Sequence, residues 1–306
     1  MSFDIIIPFL KPIQRLLESG SVSEIMVNPD GTVWIEEQGH IEPVPGIRFE
    51  DGALLTALEV IANRFDKKLD ADLPIMNLRL PDGSRLAATI PPIVHPQPLM
   101  TIRRFTSRNF TMDDLIERKM LTADQAGILT DAVRHGDNIL ISGGTSTGKT
   151  TVLNVLADAI PEHERILIIE DTAELHIRKP HVVQQEAQTD THRHPVTFDD
   201  LLKAALRHRP DRIILGEIRG TEARTLLDSM NTGHRGALAT IHASSAHGAL
   251  LRLRTLLMRG ASSLLPAEAD AEIRSYIHLV VHIDRVDGQR HIQNILNVAG
   301  NSTDAI

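Results

Sequence analysis

Apolar and polar residues follow two different patterns along the chain. In roughly the first hundred residues, short alternating runs are bounded by turn residues, which is typical of antiparallel strands. From residue 121 onward, continuous aliphatic runs alternate with segments in which apolar residues recur every three or four positions. This second pattern is typical of buried parallel strands covered by helices. The sequence therefore predicts a smaller α+β domain followed by an α/β domain.

The first domain is predicted to contain a hairpin, a helix and three further strands. Its apolar positions and turns predict strands over 23–28 and 32–36 around the turn Asn28-Pro29-Asp30-Gly31, a helix over 49–65, and strands over 78–80, 85–90 and 99–105. The prolines within 91–98 predict a loop. Residues 3–17 are compatible with an amphipathic surface contact or with an N-terminal helix packed on its own domain, and we favour the helix.

The second domain is predicted to alternate strands and helices. Thr122 and Gln125 form a capping box for a helix over 121–135, which ends at Gly136. After it we expect strands over 138–142, 165–170, 212–216 and 237–242, with helices over 149–160, 198–208 and 221–232. The polar segment 107–120 is predicted to connect the two domains. The predicted boundaries are therefore 1–106 for the first domain, 107–120 for the linker and 121–306 for the second domain.

Composition narrows the class of protein. The chain has 306 residues, of which 42% are hydrophobic and 24% charged, as in globular proteins with substantial cores. It has no cysteine, which excludes disulfides, thiolate metal sites and a cysteine nucleophile. No apolar run is long enough to span a bilayer, and the N-terminus has no basic region or cleavage site typical of a signal peptide. The net charge of −8 argues against a large nucleic-acid-binding surface.

The strongest chemical signal is a phosphate-binding loop between a predicted strand and a predicted helix. The pattern G-x-x-x-x-G-K-[ST] is matched by Gly143, Gly144, Thr145, Ser146, Thr147, Gly148, Lys149 and Thr150, with Thr151 next. Glycines let successive backbone N–H groups point at phosphate oxygens, and the positive end of the following helix lies beneath them. Lys149 is expected to reach the β- and γ-phosphates of ATP and Thr150 to bind Mg²⁺.

Polar residues follow the other predicted strands as well. The second strand ends in Glu170-Asp171-Thr172-Ala173-Glu174, the third in Gly216-Glu217, and the fourth at His242. Ligands of open parallel sheets bind beyond the carboxyl ends of the strands. The four strand ends are therefore expected to share one site.

Each of these residues is assigned a role from the requirements of phosphoryl transfer. Glu217 closes an aliphatic run, as a Walker B acid does, and is expected to hold Mg²⁺ through water. Glu170, Asp171 and Glu174 are candidates to orient or deprotonate the attacking water, with Glu174 slightly favoured. His242 is expected to sense the γ-phosphate; the alternative is a buried, satisfied histidine.

These motifs together resemble the secretion ATPase superfamily. Residues 143–151, 169–175, 216–223 and 231–243 are similar to its Walker A, Asp box, Walker B and His box. Within that superfamily the chain most resembles type IV secretion traffic ATPases, especially the TrbB-like conjugal-transfer type. The resemblance implies a RecA-like P-loop NTPase domain with a smaller N-terminal α+β domain. It also implies a cytoplasmic homohexamer at the inner face of the inner membrane, powering assembly or substrate transfer with membrane components of the apparatus.

The resemblance further implies arginines that reach the nucleotide from the N-terminal domain. Arg85 and the pair Arg103-Arg104 occupy the matching stretches. An arginine brought to the site by domain closure would stabilise charge on the transferring phosphoryl group. The alternative is that each is a surface residue on a strand edge. Arg219 is expected to order the loop around Glu217.

Weaker signals and competing functions remain open at this level. The loosely clustered His176, His181, His192 and His194 fit no zinc-binding spacing, and a solvated loop is favoured over a metal site.

A type II secretion or type IV pilus motor is one alternative function. A nucleotide-dependent assembly scaffold with negligible hydrolysis is another, and a nucleic-acid translocase is disfavoured by the acidic balance. Peripheral membrane association is compatible with the sequence.

Overall fold

A computed structural model of the protein describes residues 6–37, 39–104, 110–188, 195–260, 263–286 and 288–298. The chain forms two compact units, Met1–Arg108 and Asn109–Ile306. The domain boundaries given above stay predictions. None of the helices within the described ranges is both long and apolar enough to cross a membrane.

The first unit is built on a six-stranded antiparallel sheet. Its elements are α1 (Gln14–Glu18), β1 (Val22–Val27), β2 (Thr32–Glu37), β3 (His40–Arg48), α2 (Ala53–Arg64), β4 (Ile75–Arg79), β5 (Arg85–Thr89) and β6 (Leu99–Arg103). The strand order is β3-β2-β1-β6-β5-β4. One face of the sheet and the apolar side of α2, which carries Leu54, Leu58 and Ile61, belong to one buried core. The other face carries the polar and exposed positions.

The expected hairpin, helix and three further strands of this unit are confirmed within a few residues. Strand β3 was not predicted, because Pro43 and Pro45 interrupt its pattern. Proline cannot donate to a neighbouring strand, so it is tolerated at the edge of the sheet, where β3 lies.

The N-terminal segment differs from the single helix expected over 3–17. Among the described residues, two 3₁₀ turns, Ile7–Phe9 and Lys11–Ile13, precede the short α1. Pro8 and Pro12 explain the break, since a proline inside a helix removes a hydrogen bond and clashes with the preceding turn. Leu10, Ile13 and Leu17 are nevertheless fully buried in the core of the first unit.

The second unit is built on a seven-stranded sheet with helices on both faces. Its elements are α3 (Met112–Glu117), α4 (Ala123–His135), β7 (Ile139–Gly143), α5 (Lys149–Ala157), β8 (Ile166–Glu170), β9 (Val182–Glu186), α6 (Phe198–Ala205), β10 (Arg212–Leu215), α7 (Glu222–Asn231), β11 (Leu238–His242), α8 (Ala246–Gly260), α9 (Pro266–Tyr276), β12 (Leu279–Val286) and β13 (Gln289–Asn297). The strand order is β13-β12-β7-β11-β10-β8-β9.

The four predicted strands of the second unit are neighbours in this sheet. β7, β11, β10 and β8 lie side by side and pair in parallel, as expected from their continuous aliphatic sequences. Alternate residues of β7 enter different cores: Leu140 faces one, and Ile139 and Ile141 face the other. The sheet is not purely parallel, however, because β12 pairs parallel to β7 and then antiparallel to β13.

The segment predicted as a linker, 107–120, contains structure of its own. Within its described part, Thr111 caps α3 in a capping box with Asp114. Leu115 and Met120 are buried in a core of the second unit. Residues 110–120 therefore pack with the second unit.

Candidate functional site

The phosphate-binding loop joins β7 to α5. Gly148 adopts a left-handed conformation (φ +98°) directly before the helix starts at Lys149. The Lys149 ammonium donates to the carbonyl oxygens of Gly143 and Gly144 at 3.2 and 2.7 Å. The Thr147 hydroxyl donates to the Gly144 carbonyl at 3.0 Å. The loop thus curls around its own lysine.

The exposed part of this loop is short. Gly144, Thr145 and Ser146 are exposed, whereas Thr147 and Lys149 are buried. Thr150 and Thr151 are half-buried in the first turn of α5, where the helix dipole favours an anion. The loop therefore has the local geometry of a phosphate site.

The neighbouring strands β10 and β11 place Glu217 and His242 near the phosphate-binding loop. His242 is the last residue of β11 and lies in register beside Gly143 of β7. Glu217 follows the adjacent strand β10 by two residues. The His242 Nε2 atom lies 3.4 Å from Glu217 Oε2.

Arg219 links the Walker B segment to the Asp-box segment. Its guanidinium donates to Glu217 Oε2 at 2.8 Å and forms an ion pair with Asp171. The hydrogen bond to Glu217, together with the charges of Asp171 and Glu174, raises the pKa of Arg219 against the effect of burial. The expected ordering of the Glu217 loop by Arg219 agrees with these contacts. Residues from all four strand ends therefore form one electrostatic cluster.

The charges in this cluster set its protonation state. Burial would raise the pKa of Glu217, but the hydrogen bond from Arg219 and the charges of Arg219, His242 and Lys149 hold it below its usual value. Burial and the nearby Lys149 charge lower the pKa of His242, and Glu217 only partly opposes them. Near pH 7 the site therefore contains an ionised Glu217 beside a largely neutral His242.

Glu170 and Glu174 occupy different environments. Glu170 is 3% exposed. Its Oε1 accepts the backbone N–H groups of Glu174 and Leu175 at 2.9 and 3.0 Å, and its Oε2 accepts Gln184 Nε2 at 2.6 Å. Burial raises the Glu170 pKa, and these hydrogen bonds oppose the rise. Glu174 is half-buried in the loop that Glu170 supports. Both Glu170 oxygens are thus engaged in holding the loop.

Three further residues support the site without having been assigned to it from the sequence. Glu222, at the start of α7, accepts the backbone N–H groups of Arg219 and Gly220 at 2.6 and 2.7 Å. Thr240, buried in β11, donates its hydroxyl to the Gly216 carbonyl at 2.6 Å. Ser142 of β7 lies 2.9 Å from His282 Nδ1 of β12. The polar character of Ser142 and Thr240 within aliphatic strands is the signal that could have identified them.

The three predicted arginines all belong to the first unit. Arg85 of β5 lies directly opposite Arg103 of β6, so their side chains share one face of the antiparallel sheet. Arg103 is exposed, Arg85 is half-buried, and burial lowers the pKa of Arg104. Their predicted contact with a nucleotide stays a prediction.

Of the four histidines considered as metal ligands, the two within the described residues form hydrogen bonds with other groups. His176 Nδ1 lies 2.9 Å from the Leu175 carbonyl, and His181 Nε2 accepts Arg165 at 2.6 Å. His192 and His194 lie outside the described residues. Within the described ranges, no group of three or more His, Asp or Glu side chains is arranged to hold a metal by itself.

Two groups nevertheless fit a magnesium ion that is shared with a phosphate ligand. The Thr150 hydroxyl and the Glu217 carboxylate are oxygen donors, which Mg²⁺ prefers, and Mg²⁺ in such sites keeps several waters. The lowered pKa of Glu217 keeps its carboxylate ionised at neutral pH. The donor chemistry of these two residues is therefore suitable.

Comparison with known proteins agrees with this arrangement. Residues 9–295 match the family model described as type II/IV secretion system protein. A probable conjugal transfer protein TrbB of Sinorhizobium fredii is 37% identical over 287 residues, covering 92% of this chain and 85% of that protein. The crystal structure of the VirB11 ATPase of the Brucella suis type IV secretion system, in complex with sulphate, is 25% identical. It has a TM-score of 0.52 and covers 96% of this chain and 94% of that one.

A second solved structure shows the fold at lower sequence identity. The Legionella pneumophila ATPase DotB has a TM-score of 0.66 and 21% identity, covering 95% of this chain and 81% of that one. The expected α/β fold and the resemblance to type IV secretion ATPases are confirmed. The chain belongs to the type II/IV secretion system protein family.

Proposed function

We propose that this member of the type II/IV secretion system protein family hydrolyses ATP to ADP and phosphate at the edge of its seven-stranded sheet. The observation that best supports this proposal is that residues from the ends of four adjacent strands lie in one cluster. Arg219 joins Asp171 to Glu217, Glu217 lies 3.4 Å from His242, and the charge of Lys149 acts on both Glu217 and His242. Phosphoryl transfer depends mainly on such positioning and charge.

The phosphates of ATP would bind along the loop 143–151. Its backbone N–H groups and the start of α5 favour negative charge, and Lys149 would exchange its contacts with the loop carbonyls for contacts with the β- and γ-phosphates. Thr150 and Glu217 would hold Mg²⁺, which neutralises phosphate charge when it is bound. His242 would contact the γ-phosphate as a neutral donor.

Glu174 is the better candidate to orient and deprotonate the attacking water. Glu170 is buried, and its two carboxylate oxygens accept three hydrogen bonds that fix the Asp-box loop. A carboxylate committed in this way has little freedom to take a proton from water. Arg85, Arg103 and Arg104 would supply positive charge to the transferring phosphoryl group from the first unit.

The biological role we propose is a motor for type IV secretion or conjugative transfer, acting in substrate transfer and pilus assembly. The TrbB and VirB11 relatives, matched over nearly the whole chain, support it. The working form would be a homohexamer in the cytoplasm, at the inner face of the inner membrane, docked on membrane components of the apparatus. A type II secretion or pilus motor shares the same family and is the alternative. With a net charge of −8, we expect little direct nucleic-acid binding.

Phosphate release by the purified full chain tests the activity. Lys149→Ala is expected to lower turnover by roughly 100-fold or more, because it removes the cation that faces the γ-phosphate. Lys203→Ala is a matched control, since Lys203 is an exposed lysine of α6 paired with Asp199. Phosphate release by the unaltered chain that is no faster than by Lys149→Ala would refute hydrolysis and favour an assembly scaffold.

The mass of the protein in solution tests the ring. We expect a hexamer in the presence of ATP and Mg²⁺. A monomer under all conditions, with and without nucleotide, would contradict the motor even if slow hydrolysis were present.

A further inference from the structure

Three polar side chains form a row across strands β7, β12 and β13. Ser142 of β7 lies in parallel register with His282 of β12, and His282 lies opposite Asn294 of β13. The next residues along each strand on the same face are apolar and belong to one core: Leu140, Val280 and Leu296. Ser142 is fully buried, and His282 is 5% exposed. A polar row in such a position is costly unless its groups are paired.

The row is paired at one end and incompletely paired at the other. The Ser142 hydroxyl lies 2.9 Å from His282 Nδ1 and 3.4 Å from the Val281 carbonyl oxygen. Burial lowers the pKa of His282, so its ring is neutral near pH 7 and can donate to the hydroxyl or accept from it. The Asn294 Oδ1 atom is buried and has no hydrogen-bond partner among the described residues. A network built for stability alone would pair every one of its groups.

The paired end of the row leads directly into the phosphate loop. Ser142 precedes Gly143, and the Gly143 carbonyl oxygen accepts Lys149 Nζ at 3.2 Å. Ile283 of β12 lies beside Gly143, and a Cβ on Gly143 would be 2.5 Å from the Ile283 carbonyl oxygen. The register of β12 with β13 shifts between His282 and Ile283, and such bulges often re-aim side chains beside functional sites. Strand β12 therefore contacts the start of the loop with a side chain and with its backbone.

We propose that His282 is a positioning residue for phosphate binding, which holds Ser142 and thereby the start of the loop 143–151. The inference rests on the proposed function, because it requires a nucleotide phosphate at that loop. His282 acts through Ser142 and not by contact with the nucleotide. Without this hydrogen bond the start of the loop gains freedom that it must lose again when a phosphate binds, which weakens affinity. Substrate and transition state are affected alike, so KM should rise while kcat changes little.

ADP binding to the full chain, measured by calorimetry, and the KM and kcat of ATP hydrolysis test this role. His282→Leu removes the hydrogen bond with a side chain of similar size and is expected to weaken ADP binding roughly tenfold. Ser142→Ala removes the other partner without adding bulk and should have the same effect. The double variant should bind ADP no more weakly than the weaker single variant, because both changes remove one interaction. His282→Asn keeps a hydrogen-bonding group and should stay within about twofold of the unaltered chain.

His278 provides a matched control at the other end of the same two strands. It precedes β12, and its Nδ1 atom accepts the backbone N–H of Asn138, which precedes β7, at 3.0 Å. His278→Leu therefore removes the same kind of hydrogen bond between the same strands, at the end away from the loop. We expect it to lower the midpoint of urea unfolding while ADP affinity and KM stay unchanged.

The results separate two kinds of failure. If ADP does not bind the unaltered chain, the proposed function itself fails. If ADP binds but neither His282→Leu nor Ser142→Ala weakens it, the positioning role is refuted and the function stands. Equal weakening by His278→Leu, or additive effects in the double variant, would also refute the role, because either would show general damage to the sheet. If His282→Leu does not fold, the ADP affinity of Ser142→Ala decides.

Discussion

His242 Nε2 lies 3.4 Å from the carboxylate of Glu217, across the ends of two neighbouring parallel strands. The same Glu217 oxygen accepts Arg219 at 2.8 Å. This pair places a neutral hydrogen-bonding group and an ionised acid side by side next to the phosphate loop. A change in either residue should therefore affect the reaction more than the fold.

We expect His242→Gln to lower kcat about tenfold or more while the Kd for ATP changes little, because the contact strengthens as charge develops in the transition state. His135→Gln is the control, because His135 is an exposed histidine in the last turn of α4 and lies outside the motifs of the site. Steady-state kinetics with a separate binding measurement checks this. A parallel loss of binding and kcat would show a role in ground-state binding instead.

The two glutamates of the Asp box should separate into a chemical and a structural residue. Glu174→Gln is expected to lower turnover by roughly 100-fold, with the free energy of unfolding nearly unchanged. Glu170→Gln is expected to lower the free energy of unfolding by about 1–3 kcal/mol, because an amide cannot accept all the hydrogen bonds that Glu170 accepts in its buried position. Urea denaturation and phosphate release distinguish the two. Full turnover by Glu174→Gln would exclude it as the base.

Two adjacent glycines of the phosphate loop should respond differently to alanine. A Cβ on Gly143 would lie 2.5 Å from the Ile283 carbonyl oxygen and 2.6 Å from Thr147 Oγ1, whereas a Cβ on Gly144 would meet only Thr147 Cγ2 at 3.6 Å. Gly143→Ala should therefore cost about 1–3 kcal/mol of stability. Gly144→Ala should cost less than about 0.5 kcal/mol. Thermal or urea unfolding of the two variants is the measurement, and equal stabilities would contradict the packing described.

The buried His282 should make the protein sensitive to mild acid. Burial lowers the pKa of His282, and Asp284 opposes this only in part. Above pH 6.5 the histidine is neutral in both the folded and the unfolded chain and contributes nothing. Below pH 6.5 the unfolded chain binds a proton that the folded chain refuses, so stability falls toward the folded pKa by at most about 1.4 kcal/mol per pH unit.

His282→Asn provides the comparison, because an asparagine amide can keep a hydrogen bond to Ser142 without titrating. We expect the variant to lose less stability than the unaltered chain between pH 7 and 5, as measured by urea denaturation. His242 also has a lowered pKa, but it is present in both proteins and its effect cancels. Identical pH dependence would show that His282 does not titrate in this range.

Helices and strands were predictable from the sequence where residues close in sequence determine where they begin and end. The capping box of Thr122 and Gln125 and the left-handed Gly136 fixed both ends of α4 as expected. Helices α8 and α9 and strands β9, β12 and β13 were not assigned from the sequence. Their short or mixed apolar patterns acquire a defined conformation only by packing, as Leu253 and Leu257 of α8 and Ile273 of α9 do in one shared core.

The sequence by itself determined the phosphate-loop motif, the acids and histidine at the strand ends, and the family to which the chain belongs. Those features follow from residue type and spacing along the chain. Only the tertiary structure decided that Glu170 accepts backbone N–H groups of the Asp-box loop, that Arg219 joins Asp171 to Glu217, and that Met120 and Arg290 flank Gly148. Strand order, register and burial set these contacts, and they bring together residues that lie far apart in the sequence, such as Met120 and Ile292, which are 172 positions apart (292 − 120).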